Sequence, residues 1–178
     1  MEYPPFVQNP TVINNALAQQ FIPRFSVSDQ IIIAKNVNES VTSSITLQDD
    51  DELFVNIGPN EEWIVEFSLD FINSLSSTGV HTAITIPSGA LMNASGIGIS
   101  SGQNGGHSGG SQTISGNTIV LFNAVDLTGS QATIKLNVWV LNGSTSGAIT
   151  LQWAQGTLNG TALTLRRGSY LMATKIQR

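Results

Sequence analysis

The feature that most constrains the fold is a run of alternating side chains between residues 62 and 72. Large apolar side chains occupy every second position of this run: Trp63, Val65, Phe67, Leu69 and Phe71. The positions between them include Glu66, Ser68 and Asp70. In an extended chain successive side chains point to opposite sides, so a period of two predicts a strand with one buried and one wet face.

Short segments rich in β-branched and aromatic residues recur along the chain, separated by turn sequences such as Asn142-Gly143. The predicted strands are Ile31–Ile33, Ser44–Leu47, Glu52–Ile57, Glu62–Ile72, Val80–Ile86, Thr118–Asn123, Gln131–Leu141, Ala148–Gln155, Ala162–Leu165 and Ser169–Ile176. No helical period is evident after residue 30. Many short strands without helices predict an all-β fold, an antiparallel β-sandwich or jelly roll, over residues 31–178.

Residues 1–30 differ from the rest because prolines interrupt them and no period of two persists. The segment nevertheless contains spaced apolar side chains: Tyr3, Phe6, Val7, Phe21, Ile22 and Phe25. Disordered tails are usually depleted in such residues. We therefore expect an extended N-terminal arm whose apolar side chains bind a partner surface, and a mobile tail with a few stray apolar residues is the alternative.

Residues 96–116 are rich in glycine and serine, a composition typical of flexible loops. The segment lacks the Gly-Lys-Ser/Thr ending of a phosphate-binding loop. We therefore expect a long flexible loop between two strands, with no nucleotide or other cofactor bound.

Charge and composition exclude several classes of partner. The net charge is −5, and nucleic-acid binding requires a basic patch, so we expect no nucleic-acid partner. No apolar run approaches the ~20 residues that cross a bilayer, so we expect no membrane partner. The chain contains no cysteine, which excludes disulfides and thiolate metal sites.

No set of residues predicts catalysis or metal binding. The acid cluster Asp49–Glu52 lacks a calcium-loop spacing, and we interpret it as an exposed turn before a strand. His81 and His107 are the only histidines, too few for a zinc site. We expect a protein that is not an enzyme and has no catalytic, metal or cofactor residues.

Aromatic and basic residues suggest how the domain contacts partners. Trp63 and Trp153 are in phase with apolar neighbours, which predicts that they are buried. Trp139 lies on the polar side of its predicted strand and is the aromatic residue expected to contact a partner. Arg166 and Arg167 form a basic turn before the last strand, which we interpret as the cap of a hairpin. The turn could also pair with acids of a neighbouring subunit, for which the acid cluster is the obvious candidate.

Two regions carry a resemblance to a known group of proteins. They comprise the segments Thr46–Leu53 with Gly58–Glu66 and Ile149–Gln155 with Leu165–Lys175. These segments resemble structural proteins of tailed-bacteriophage virions. The resemblance implies a jelly roll of the tumour-necrosis-factor/C1q type, which packs as a trimer around a threefold axis through an apolar sheet face. It would place Trp139 and Leu141 on that face, with Arg166 and Arg167 also at the subunit interface, and it brings no catalytic residues.

These observations predict a phage virion structural protein. The specific expectation is a homotrimeric capsid decoration (cement) protein, made in the host cytoplasm and bound to the outer capsid surface, in part through its arm. Its partners would be the major capsid protein and neighbouring trimers. The alternative is a tail-associated receptor-binding module whose 96–116 loop, with Trp139, contacts host-surface glycans.

Overall fold

The computed structural model describes residues 30–73, 78–100, 107–115, 118–125 and 131–177. These residues form strands and their connections, with no helix among them. In chain order the strands are β1 Gln30–Ala34, β2 Glu39–Val41, β3 Gln48–Ile57, β4 Glu62–Asn73, β5 Val80–Thr85, β6 Leu91–Ser100, β7 His107–Ser115, β8 Thr118–Val125, β9 Gln131–Leu141, β10 Gly147–Gln155, β11 Leu163–Leu165 and β12 Tyr170–Ile176. The predicted arm residues lie outside the described part of the chain.

The strands form two antiparallel sheets. The larger has the order β1-β12-β4-β9-β6-β7, with β11 beside β4 and β2 beside β11. The smaller has the order β3-β10-β5-β8. Inward side chains of both sheets form one core that includes Leu53, Phe67, Ile84, Leu136 and Trp153. The predicted antiparallel sandwich of jelly-roll type is confirmed.

Strand β4 is the centre of the larger sheet. It pairs with β9 over Glu62–Ile72 and with β12 on its other edge. The apolar side chains of its alternating run are buried, as the period of two predicts, and the intervening ones reach the opposite side of the sheet. The predicted burial of Trp63 and Trp153 is confirmed.

Two predicted segments differ in the structure. Ser44–Leu47 is not a strand but part of the connection between β2 and β3, and the short strand β2 was not predicted. The acid cluster is not an exposed turn, because β3 begins at Gln48 and contains all of it. Asp49 and Asp51 lie on this strand with exposed side chains, and the buried Asp50 pairs with Lys35.

The prediction of a loop over residues 96–116 is also wrong for the described residues. Strand β6 pairs with β9 along its whole length, and β7 pairs with β6. Backbone hydrogen bonds of an antiparallel ladder need no side chain, so a glycine-rich segment can extend a sheet when a neighbouring strand supplies the pairing. Gly98, opposite Ile134, is buried.

Three turns are in direct contact at one end of the sandwich. The buried side chain of Asn142 donates through Nδ2 to the carbonyl of Gly58 at 2.6 Å and to that of Thr145 at 2.9 Å. A Cβ atom on Gly143 would lie 2.8 Å from the carbonyl oxygen of Gly89. Asn142-Gly143 is therefore required by contacts between turns, in addition to forming the β9–β10 connection.

Candidate functional site

The candidate interaction site is the side of the larger sheet that points away from the core, which we call the outer face. Exposed apolar side chains from β1, β4, β6 and β12 lie on it: Ile32, Ile64, Leu91, Ile97, Ile99 and Tyr170. The most exposed, Ile32 and Ile99, are 65% and 55% accessible. Large exposed apolar patches mark interaction sites in soluble proteins, and here six exposed apolar side chains share one face of a sheet.

Strand register places these side chains in rows that cross the sheet, where most of their direct neighbours are other residues. One row crosses five strands and comprises Gln30, Thr174, Ile64, Trp139 and Asn93. A second row comprises Ala34, Tyr170, Ser68, Lys135 and Ile97. Apolar and polar groups are therefore interleaved along each row.

Trp139 and Leu141 both lie on the outer face, half-buried by their neighbours. The indole Nε1 of Trp139 donates to Oε1 of Glu62 at 2.7 Å. This bond fixes the ring on the sheet and satisfies its polar atom, so the exposed part of the ring presents mainly apolar surface. Leu141 is opposite Leu91 and adds to the same patch.

A shallow depression of about 230 Å³ lies in the middle of the outer face. Its polar lining consists of Glu66, Ser68, Lys135, Asn137 and Tyr170. Glu66 and Lys135 are exposed, and within the described residues neither forms an ion pair. The outer face therefore offers one positive and one negative group for pairing with a partner.

Arg166 and Arg167 lie in the turn between β11 and β12. Arg166 Nη1 is 3.1 Å from Oδ2 of Asp70 in the same chain, and both side chains are substantially exposed. Arg167 is exposed, and its backbone N–H donates to Oδ1 of Asn38 at 2.8 Å. Within the described residues the basic turn therefore contacts its own chain, and the pairing with a neighbouring subunit stays a prediction.

A second polar site, which the sequence did not predict, lies inside the sandwich around Lys35, and we call it the Lys35 cluster. Its Nζ is 2.7 Å from Oε2 of Glu39, 2.8 Å from Oδ2 of Asp50 and 3.8 Å from Oε1 of Glu52. Trp153 Nε1 donates to the same Oδ2 at 3.2 Å. Lys35 and Asp50 have fully buried side chains.

An interruption of the β3–β10 ladder turns Asp50 inward. Thr150 pairs with Phe54, whereas Gln152 pairs with Asp49, so β3 contains extra residues between these positions. Within this bulge Asp50 Oδ1 accepts hydrogen bonds from the backbone N–H groups of Glu52 at 3.0 Å and Leu53 at 2.7 Å.

The sequence contained one signal for the Lys35 cluster. Lys35 is the only Lys or Arg between Arg24 and Lys135, and it follows an apolar run.

Burial and neighbouring charges shift the acid–base equilibria of the Lys35 cluster. Burial would lower the pKa of Lys35, but hydrogen bonds and charge from Asp50 and Glu39 outweigh it and raise that pKa. Burial raises the pKa of Glu39, helped by the nearby Asp50 carboxylate and opposed by Lys35. The backbone N–H of Asn36 lowers the pKa of Glu52. Lys35 and Glu39 therefore both hold a proton more tightly than they would in water, whereas Glu52 holds one less tightly.

His81 takes no part in either site. His81 is half-buried in β5, and His107 begins β7. Across the described part of the chain no group of three His, Cys, Asp or Glu side chains is placed to hold a metal ion. The described residues also include no helix with the length and hydropathy of a membrane span.

Comparison with known proteins concerns the fold alone. No protein-family model and no curated protein matches the sequence. Among solved structures, the chain is similar to the TNF protein Eiger from S. frugiperda, with 6% identity, a TM-score of 0.29 and coverage of 86% of this chain and 89% of that one. The chain is also similar to a structure from a study of carbohydrate-binding modules of the β-sandwich superfamily. The identity is 15%, the TM-score is 0.27, and the match covers 76% of this chain and 57% of that chain.

A third similar structure is the VP2 subviral particle of infectious bursal disease virus, with 14% identity, a TM-score of 0.25 and coverage of 82% of this chain and 39% of that chain. The chain thus spans well under two thirds of the carbohydrate-binding and VP2 chains. The fold assignment rests on the strand order and antiparallel register of its own two sheets. By that criterion the protein is an all-β sandwich of jelly-roll type.

Proposed function

We propose that this protein is a structural component of a tailed-bacteriophage virion, specifically a homotrimeric decoration protein on the outer surface of the capsid. The outer face of the larger sheet is the observation that carries the proposal, because it presents interleaved apolar and polar side chains suited to a protein partner. The assignment to phage rests on the sequence resemblance of residues 46–66 and 149–175.

A second copy of the chain is the partner that the outer face fits best. Burying apolar surface contributes ~25 cal/mol per Å², so association of faces that include Ile64, Ile97 and Tyr170 is favourable. The same face contains Glu66 and Lys135 without ion-pair partners among the described residues. In a closed ring Lys135 of one subunit can approach Glu66 of the next, and such head-to-tail contacts repeat around a rotation axis.

The arm, residues 1–30, supplies the attachment in this proposal. Its aromatic and aliphatic residues would bind the major capsid protein or a neighbouring trimer. Three arms on one trimer bind with a high effective concentration once the first has bound, so weak individual contacts give stable attachment. The low fraction of charged residues, 11%, leaves a surface made largely of Ser, Thr, Asn and Gly.

The mass of the purified protein in solution, measured by light scattering, is the first test, followed by co-sedimentation with intact and undecorated capsids. We expect a trimer that binds undecorated capsids saturably. A trimer that ignores capsids but binds cells or glycans would support the tail-associated receptor-binding module instead. A monomer that binds neither would contradict both functions.

A substitution on the outer face tests the subunit interface. We expect Ile97→Lys to convert the trimer to a monomer, because it places a second charge opposite Lys135 within the buried surface. Leu158→Lys is the matched control, since Leu158 is an exposed leucine, 65% accessible, in the β10–β11 connection, away from the outer face. Light scattering measures the oligomeric state of both variants, and circular dichroism shows whether they are folded. A folded, trimeric Ile97→Lys protein would exclude the outer face as the interface.

A further inference from the structure

The Lys35 cluster combines a buried amine with a buried carboxyl group in direct contact. Lys35 Nζ lies 2.8 Å from Oδ2 of Asp50, one bond from the carboxyl carbon, and both side chains are inaccessible to solvent. Two ions held in a core are expensive to desolvate, and their attraction only partly offsets that cost. A reaction that removes both charges and keeps the contact would relieve this cost.

We propose that Lys35 and Asp50 condense to form an intramolecular isopeptide bond, with Glu39 as the catalytic acid–base group. The Nζ–Cγ bond forms and the Cγ–Oδ2 bond breaks. The ammonium group loses two protons, which leave with Oδ2 as one molecule of water. Charge balances because one cation and one anion become a neutral amide, and no oxidant, metal or co-reactant is needed.

Glu39 is placed to move these protons. Its Oε2 lies 2.7 Å from Lys35 Nζ, within the distance at which a general base accepts a proton. A lysine attacks only as the free amine, so the ammonium must first transfer a proton to a neighbouring carboxylate. Burial and the adjacent Asp50 raise the pKa of Glu39, which favours this transfer, whereas hydrogen bonds and charge from Asp50 and Glu39 raise the pKa of Lys35, which opposes it. Glu39 then gives the proton to Oδ2 of Asp50 and is regenerated when the second proton follows the same route.

The backbone around Asp50 stabilises the charge that develops during attack. Oδ1 accepts two N–H groups, from Glu52 at 3.0 Å and Leu53 at 2.7 Å, and it is the oxygen that becomes negative in the tetrahedral intermediate. Two preorganised N–H donors at such distances form an oxyanion hole. Trp153 Nε1 donates to Oδ2, the leaving oxygen, at 3.2 Å.

The other two carboxyl groups of the cluster are less suited to be the acyl partner. Glu52 Oε1 is 3.8 Å from Nζ, and its other oxygen is held by Asn36 through N–H at 2.8 Å and Nδ2 at 3.0 Å. Glu39 is partly exposed, and its second oxygen accepts from the Gln48 side chain. Asp50 is fully buried beneath Trp153, whose ring packs edge-on against Phe71 with centroids 5.5 Å apart.

Mass spectrometry of the denatured full-length protein tests the bond directly. A glutamate-specific protease cuts after Glu39 and Glu52, which separates the peptide 3–39 from the peptide 40–52. We expect these two peptides to remain joined, with a mass equal to their sum less one water. Fragmentation should locate the link at Lys35 and Asp50. Recovery of only the two free peptides from folded protein would overturn the proposal.

The chain contains its own matched control, since Lys175 also contacts a carboxylate, Glu61, but at the surface. These two residues should be recovered in separate peptides. Lys35→Arg retains the positive charge and must show the full sequence mass. Glu39→Gln, checked for folding by circular dichroism, should lose the bond or form it much more slowly during refolding. A folded Glu39→Gln protein linked as fast as the unaltered one would exclude Glu39 as the catalytic group.

Discussion

Within the part of the chain that the structure describes, two lysines contact carboxylates, one inside the sandwich and one on its surface. Lys35 is fully buried with Asp50, whereas Lys175 and Glu61 have side chains that are 34% and 21% accessible. The two contacts join residues 15 and 114 positions apart, and each carboxylate also accepts hydrogen bonds from a tryptophan and from at least one backbone N–H group. Contact distance alone therefore does not distinguish them. Burial does, because it decides how much water screens the charges and what remains unpaired when one partner is removed.

The largest effect is expected from Lys35→Met. The substitution leaves the buried Asp50 and the partly exposed Glu39 without their cation, and the loss of one member of a buried pair costs about 3–5 kcal/mol of the free energy of unfolding. In protein that has formed the proposed isopeptide bond, the substitution removes that bond instead of the ion pair. Urea unfolding monitored by tryptophan fluorescence measures it. A cost below that of the surface variant Lys175→Met would mean that the cluster is hydrated.

Trp153→Phe is expected to have an intermediate effect. It keeps an aromatic ring beside Phe71 but removes the Nε1 donor to Asp50 and leaves a small cavity. In protein that has not formed the proposed isopeptide bond, a hydrogen bond to this charged group contributes about 1.5–3 kcal/mol, so we expect a loss of that order in urea unfolding of the unlinked form. Trp63→Phe is the matched control, because Trp63 Nε1 donates to the partly exposed Glu61. Equal losses in the two variants would contradict the distinction between buried and surface sites.

Lys175→Met should have the smallest effect on stability. An exposed ion pair contributes about 0.2–1 kcal/mol, and salt screens it further. We expect the difference from the unaltered protein to shrink when urea unfolding is repeated at high salt. A large difference that salt does not change would show that the pair behaves as a buried one.

The Lys175→Met variant also tests how stability depends on pH, and the lowered pKa of Glu61 sets the expected direction. The hydrogen bond from Lys175 is the main cause that lowers the pKa of Glu61 from its ordinary value of 4.5. Stability from Glu61 is therefore present above that value and lost as pH falls through the lowered pKa of the folded state. Unfolding midpoints measured across the acid range should fall less steeply in Lys175→Met. Parallel curves for the two proteins would contradict this.

Periodicity along the chain was sufficient for most of the strands but not for β2, β6 and β7 or for the polar site. Alternation over residues 62–72 predicted a half-buried strand, and the phase of Trp63 and Trp153 predicted their burial, because side-chain direction in a strand follows from position alone. The same rule places Trp139 and Leu141 together on the outer face.

Other features depend on partners that are distant in sequence. Asp50 is buried because Lys35 pairs with it and a bulge in β3 turns it inward, and no local pattern encodes that pairing. Likewise Ile97 and Ile99 reach the outer face only because β9 pairs with β6, in a segment whose composition is typical of a loop. Local sequence determines which way a strand's side chains alternate. Tertiary pairing decides which segments become strands, and which charged groups can be buried, because only a neighbouring strand or ion offsets the cost of removing polar groups from water.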